Sequence, residues 1–183
     1  MIPTLGYLAL VPALVAALVQ GSVPLIGAAR GHARWMALAR PAAATQALLV
    51  VIAYACLTAS FIGHDFSVRF VAAHSHSALP LAYRIAAVWG GHAGSLLLWA
   101  LVLALWTLAV LRASRRLPPQ MAARVLAVLG LVAAGFIAFM LFTSNPFERL
   151  STVPLEGRDL DPLLQDPGMV VHPSRAYMGY VGF

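Results

Sequence analysis

Apolar runs long enough to cross a lipid bilayer recur along this chain, and they restrict its fold more than any other feature. A helix needs about 20 predominantly apolar residues to traverse a hydrocarbon layer of ~30 Å. Such runs are read at residues 6–26, 42–63, 85–111 and 125–143, and a shorter one opens at 174–183. The first keeps its place as a spanning helix, because no positive charge precedes it and no small-x-small cleavage site follows it. With 61% hydrophobic and 10% charged residues, the chain has too little polar surface to coat a soluble domain. The predicted fold is all-α, a polytopic membrane helix bundle with four complete spans and the start of a fifth, forming a single transmembrane domain over residues 1–183.

The links between runs carry the topology. Every one of the twelve basic residues is arginine. The first link holds Arg30, Arg34 and Arg40, the third holds Arg112, Arg115, Arg116 and Arg124, and neither holds an acid. The second and fourth links hold the other five arginines with all six acids, Asp65, Glu148, Glu156, Asp159, Asp161 and Asp166. The balance is +7 on one side and −1 on the other, which sums to the net +6. By the positive-inside rule the arginine-only links face the cytoplasm, so the amino terminus and the second and fourth links face outward. The arginines are spread through short links rather than interleaved with aromatics in a patch, so the basic pI near 10.5 does not indicate nucleic acid.

This arrangement gathers histidines toward one surface. His64, His74, His76 and His172 lie in outward links, and His92 is expected ~10 Å along the third span from Ile85, a little below the same surface. An ionisable ring inside a membrane is costly and marks function by default. From the residues alone its role stays open between a ligand, a proton relay and a structural hydrogen bond across the bundle. At 100° per residue His92, Trp99 and Trp106 share a stripe, with Trp89 at its margin. Ala87, Gly90 and Gly94 occupy the opposite side as a small-residue surface for a neighbouring helix.

Other motifs are weaker. His74 and His76, two residues apart in "HSHSALP", would share a strand face, yet the sequence supplies no third ligand beside them. Asp159, Asp161 and Asp166 lack the glycine turn of a calcium loop, and Pro162 interrupts them, so they read as caps. Cys56 lies in an apolar run and reads as packing. No phosphate loop and no nucleophile–base constellation can be assembled, so nothing in the sequence supports nucleotide chemistry or hydrolysis. What remains is imidazole, aromatic rings and arginine at a membrane surface, the groups that hold a flat, anionic, iron-bearing ligand.

Ordered motifs then carry a resemblance. "VWGGHAGSLLLW", "FTSNPF", "EGRDLDPLLQDPGMVVHP" and "YMGYVGF" together resemble the amino-terminal portion of the CcmF/NrfE heme lyase subunit family of cytochrome c-type biogenesis proteins. The resemblance implies a bacterial inner-membrane subunit that takes b-type heme, transient or bound, from a periplasmic heme chaperone. It implies a share in attaching that heme to apocytochrome c alongside other maturation subunits. It further implies that the chain is the amino-terminal part of a longer protein, and that His172 is an axial ligand of heme iron. His92, Trp89 and Trp99 would contribute to the membrane-facing scaffold, and Arg158 and Arg175 would pair with propionates. The chain departs from the family pattern at Ser174 and Arg175, where a second proline and apolar residues are usual, and at Ala93, where an acid is usual. Two rival readings stand beside this one: a transporter or channel subunit using His92, and a structural membrane partner with no ligand.

From its predicted place in an extended outer loop, His172 would be held by Pro173 just ahead of the fifth helix, since proline biases the residue before it toward extended backbone.

Overall fold

The computed structural model describes residues 1–161, 165 and 167–182. It contains the helices α1 (Ile2–Arg30), α2 (Ala33–Ala37), α3 (Ala39–Ile62), α4 (Arg69–His74), α5 (Leu81–Ala87), α6 (His92–Ala113), α7 (Pro119–Thr143) and α8 (Pro167–Gly182). Among the described residues the only strand-like pairing is an isolated bridge between Val68 and Arg149. Among the described residues four segments are long and apolar enough to cross a membrane: Ile2–Arg30, Ala33–Ile62, His92–Arg116 and Pro119–Thr143. The all-α polytopic bundle read from the sequence is therefore the observed architecture.

The four long helices close a ring in which α1 packs on α3 and α7, and α6 packs on the same two from the other side. Lipid gives helices no hydrophobic reason to associate, so contact has to come from close packing, which small residues allow. The sequence supplies them at helical spacing. Ala9, Ala13 and Ala17 on α1, Ala43, Ala47 and Ala53 on α3, and Ala123, Ala127 and Ala134 on α7 are all buried. Gly21 of α1 and Gly130 of α7 meet in close contact. A Cβ on Gly130 would stand 2.9 Å from the Gly21 backbone nitrogen, and one on Gly21 would stand 2.7 Å from the Leu131 side chain. Beside this seam the buried Gln20 donates from Nε2 to the Leu126 carbonyl at 2.7 Å.

The third span departs from expectation. In place of one helix over residues 85–111, α5 ends at Ala87 and α6 begins at His92. The chain leaves α5 through tight i→i−3 turns, Trp89 to Ala86 at 3.1 Å and Gly90 to Ala87 at 3.0 Å. Gly91 then caps α6 in extended backbone, φ −141°. The break strands carbonyls that a continuous helix would satisfy, and two later residues receive them. Ser95 Oγ donates to the Trp89 carbonyl at 2.8 Å. Gly94, having no Cβ, lets the Val88 carbonyl and the Phe70 ring lie directly on its backbone. The small-residue surface on α6 thus receives the break and the short helix α4, not a second long helix.

The links meet in two groups, as the charge count groups them. On one face Arg40 donates from Nη1 to the Leu111 carbonyl at 3.0 Å, joining the first arginine-only link to the third. On the other, Arg69 N donates to the Glu148 carbonyl at 2.8 Å, Leu150 N to Ser67 at 2.9 Å and Arg158 N to Ala72 at 2.7 Å, joining the second link to the fourth. Arg149 reaches Thr4 at 2.8 Å, which places the amino-terminal end of α1 on that face too.

Candidate functional site

Of the residues singled out in the sequence, five lie on or beside α6 and α8: Trp89, His92, Trp99, His172 and Arg175. His92 is the first residue of α6 and is exposed, so it is not seven residues deep in a continuous helix as expected; the glycine pair before it ends the preceding helix and resets the register. Its Nδ1 and the Ser144 hydroxyl, just past the end of α7, share a hydrogen bond at 2.9 Å. The ring also meets Phe139 edge-on, centroids 6.1 Å apart. About two turns further in, Trp99 sits between Phe136 of α7 at 5.6 Å and Tyr177 of α8 at 5.3 Å. The stripe read as facing something flat and aromatic thus faces aromatic side chains of the protein itself. Trp89 lies in the break between α5 and α6, half-buried, outside this stack.

His172 departs from the extended loop expected of it. Helix α8 begins at Pro167, so His172 is in its second turn, and Pro173 follows inside the same helix. Pro173 is the seventh residue of α8, past the first four backbone donors that lack an intrahelical acceptor, so the helix forgoes one i→i−4 hydrogen bond there. His172 and Arg175 are both exposed, and at three residues apart they are neighbours on one helix face. Arg158 lies in the fourth link: its backbone is pinned to Ala72 and its side chain is exposed. The structure therefore joins His172 with Arg175 on α8 and Trp99 with α8, holds His92 on α7, and anchors Arg158 on the second link.

The His74–His76 pair also reads differently. His74 ends α4, with Nδ1 3.0 Å from the Phe70 carbonyl, and His76 follows in a turn, so no strand aligns them. His76 Nε2 is 3.9 Å from Glu156, an acid from the fourth link that local sequence could not supply. Among the described residues no group of three or more His, Cys, Asp and Glu side chains could hold a metal ion.

Glu156 acts as a clip between the two links. Ser77 donates to it twice, from its backbone nitrogen at 3.0 Å and its hydroxyl at 2.8 Å. These bonds, the backbone one first, hold the carboxyl below the usual carboxylate range, and His76 adds to the effect. Because the folded value is depressed, the clip is at full strength above the unfolded value of about 4.3 and is lost as pH falls through the folded one. Hydrogen exchange at the Ser77 amide checks this. Protection relative to Glu156→Gln is expected at neutral pH and is expected to vanish in acid; equal protection in both proteins at neutral pH contradicts it.

Comparison with known proteins gives this arrangement a context. A model of the family described as cytochrome C assembly protein matches residues 89–183, just over half of the chain. The chain belongs to that family. Relatives in this cytochrome c assembly family align along the whole chain. A cytochrome c-type biogenesis protein CcmF of Pseudomonas aeruginosa is 58% identical, one of Escherichia coli is 51% identical, and a protein NrfE of Haemophilus influenzae is 41% identical. A solved structure titled cytochrome c heme lyase CcmF superposes on 100% of the chain with TM-score 0.84 at 29% identity. The chain spans 28% of the length of the first two relatives and of that structure, and 29% of the third. Within the family region lie both aromatic contacts of Trp99 and the exposed pair on α8, which the sequence had flagged. Ser144, Phe139 and Tyr177 were not flagged as site residues, although Ser144 and Tyr177 fall within the motifs "FTSNPF" and "YMGYVGF".

Proposed function

We propose that this chain forms the amino-terminal membrane part of a cytochrome c heme lyase subunit and takes part in delivering heme to apocytochrome c. The observation that carries the reading is the exposed His172–Arg175 pair on one face of α8, within the cytochrome c assembly region. Heme is cargo in this reading. Its iron takes an imidazole nitrogen as an axial ligand and its propionates take guanidinium partners, and one turn of helix offers one of each. The donor set therefore fits one axial position. His172 would hold the iron and Arg175 a propionate, with Arg158 a second propionate partner on the outer loop. Trp99 would fix α8 through Tyr177, while His92 and Trp89 would belong to the scaffold at the head of α6.

The rest of the proposal concerns place and company. The chain would cross a bacterial inner membrane several times, its arginine-only links in the cytoplasm and His172 in the periplasm. A periplasmic heme chaperone would deliver b-type heme, and apocytochrome c and other maturation subunits would complete the site. The competing transporter reading needs polar side chains facing a shared cavity. The clefts along the spans at Leu98–Trp106–Met178 and Leu96–Phe136–Phe139 are instead apolar.

The test is a Soret band recorded on the chain purified in detergent with heme supplied. His172→Ala is expected to abolish it and added imidazole to restore it. Heme loading that ignores the substitution removes His172 from the site. Cysteine labelling at position 172 checks the sidedness, and reaction only from the cytoplasmic side would overturn the whole assignment.

A further inference from the structure

The face that carries arginine without acid contains a cleft of about 700 Å³, bounded by α2, the start of α3, the turn after α6 and the start of α7. Its floor is apolar, formed by the buried Ala122, Ala123 and Leu126 with Met36 beside them, and two arginines, Arg40 and Arg115, stand in its wall. Arg40 is tied down, donating to the Leu111 carbonyl at 3.0 Å and to Ser114 Oγ at 3.4 Å. Arg115 is exposed in the 3-10 turn Ser114–Arg116. No acid exists in either link on this face, so no carboxylate of these links neutralises the two guanidinium groups. The cleft lies where α1 and α6 end and α3 and α7 begin, the level at which hydrocarbon gives way to headgroups.

We infer that this cleft binds an anionic phospholipid, its phosphate between Arg40 and Arg115 and the upper part of one acyl chain on the Ala122–Leu126 floor. Each half of the cleft selects one half of that molecule. Guanidinium pairs with phosphate oxygens in bidentate geometry. An alanine-lined floor at the hydrocarbon boundary offers contact to a methylene chain and nothing to a soluble anion. Basic pockets between membrane helices recognise headgroups on the same physical grounds. The pre-set Arg40, already oriented by its two protein acceptors, lowers the ordering cost of the contact. This site is on the face opposite to His172 and does not depend on the heme reading.

Native mass spectrometry of the detergent-purified chain, offered equal amounts of phosphatidylglycerol and phosphatidylcholine of matched chain length, tests the inference. Retained lipid is expected to favour phosphatidylglycerol. Arg115→Gln is expected to cut that preference about fivefold, the worth of one arginine near a headgroup. Arg124→Gln removes an equal charge from the same end of α7 outside the cleft and is expected to leave the preference unchanged. Ala37→Trp, which fills the cleft from its exposed rim, is expected to lose the bound lipid altogether. Inorganic phosphate at millimolar concentration is expected not to displace it. Equal retention of the two lipids, equal losses in the Arg115 and Arg124 variants, or displacement by inorganic phosphate would each overturn the assignment.

Discussion

Replacing Gly94 by alanine is expected to destabilise the chain by at least ~2 kcal/mol, measured as unfolding in mixed detergent micelles. The sign is the informative part. In an unobstructed helix the same exchange stabilises by about 1 kcal/mol, because glycine carries the larger entropy cost. Here an added methyl would collide with the Val88 carbonyl and with the Phe70 ring. A ring can turn aside, but the carbonyl is backbone, fixed by the turns that close α5. Relief would require the break between α5 and α6 to move, and with it the hydroxyl bond from Ser95 to Trp89. Gly135 of α7 has nothing within 4 Å of an added Cβ and provides the internal control. Gly135→Ala is expected to be neutral or stabilising, and a Gly94 variant behaving like it would show that the break is not packed as described.

The second large effect has the opposite direction. Gln46 is 1% exposed in the first half of α3, and neither its amide nitrogen nor its carbonyl oxygen has a hydrogen-bond partner among the described residues. An unpaired polar group costs about 1–3 kcal/mol in a protein interior. Methionine has the same unbranched length and no such group. Gln46→Met is therefore expected to stabilise by about 1–3 kcal/mol in the same assay. Gln20→Met is expected to gain less, since its nitrogen already donates to the Leu126 carbonyl and only Oε1 lacks a partner. A loss of stability on replacing Gln46 would mean that its amide is satisfied in the membrane, with a buried water as the obvious donor and acceptor.

The parts of this fold that hydropathy reports were legible, and the parts set by individual backbone groups were not. Four long segments and the grouping of links by charge follow from composition along the chain, because bilayer thickness imposes length and arginine asymmetry imposes order. The break at residues 88–91 was hidden because its residues are apolar or small, so the hydropathy never dips. The sign available was the adjacent pair Gly90 and Gly91, and small residues in a membrane segment serve equally for helix contact and for chain breaks. His172 was misplaced for a related reason. Proline disfavours helical backbone in the residue before it, yet α8 begins at Pro167 and runs through both His172 and Pro173, so the local preference is overridden. The Glu156 clip was beyond local reading altogether, since its partner Ser77 is far away in the chain.

The mounting of α8 sets how motion there would be transmitted. Among the described residues its packing partner is α6, and the ring contact between Tyr177 and Trp99 fastens the two. His172 lies five residues up the same helix from that fastening, ~7.5 Å at the helical rise. Pivoting the rod by 10° about Tyr177, to take a round ~10° figure, carries the His172 backbone through ~1.3 Å. Trp99 is then the fulcrum of a short lever, and its bulk governs how far the outer arm can swing.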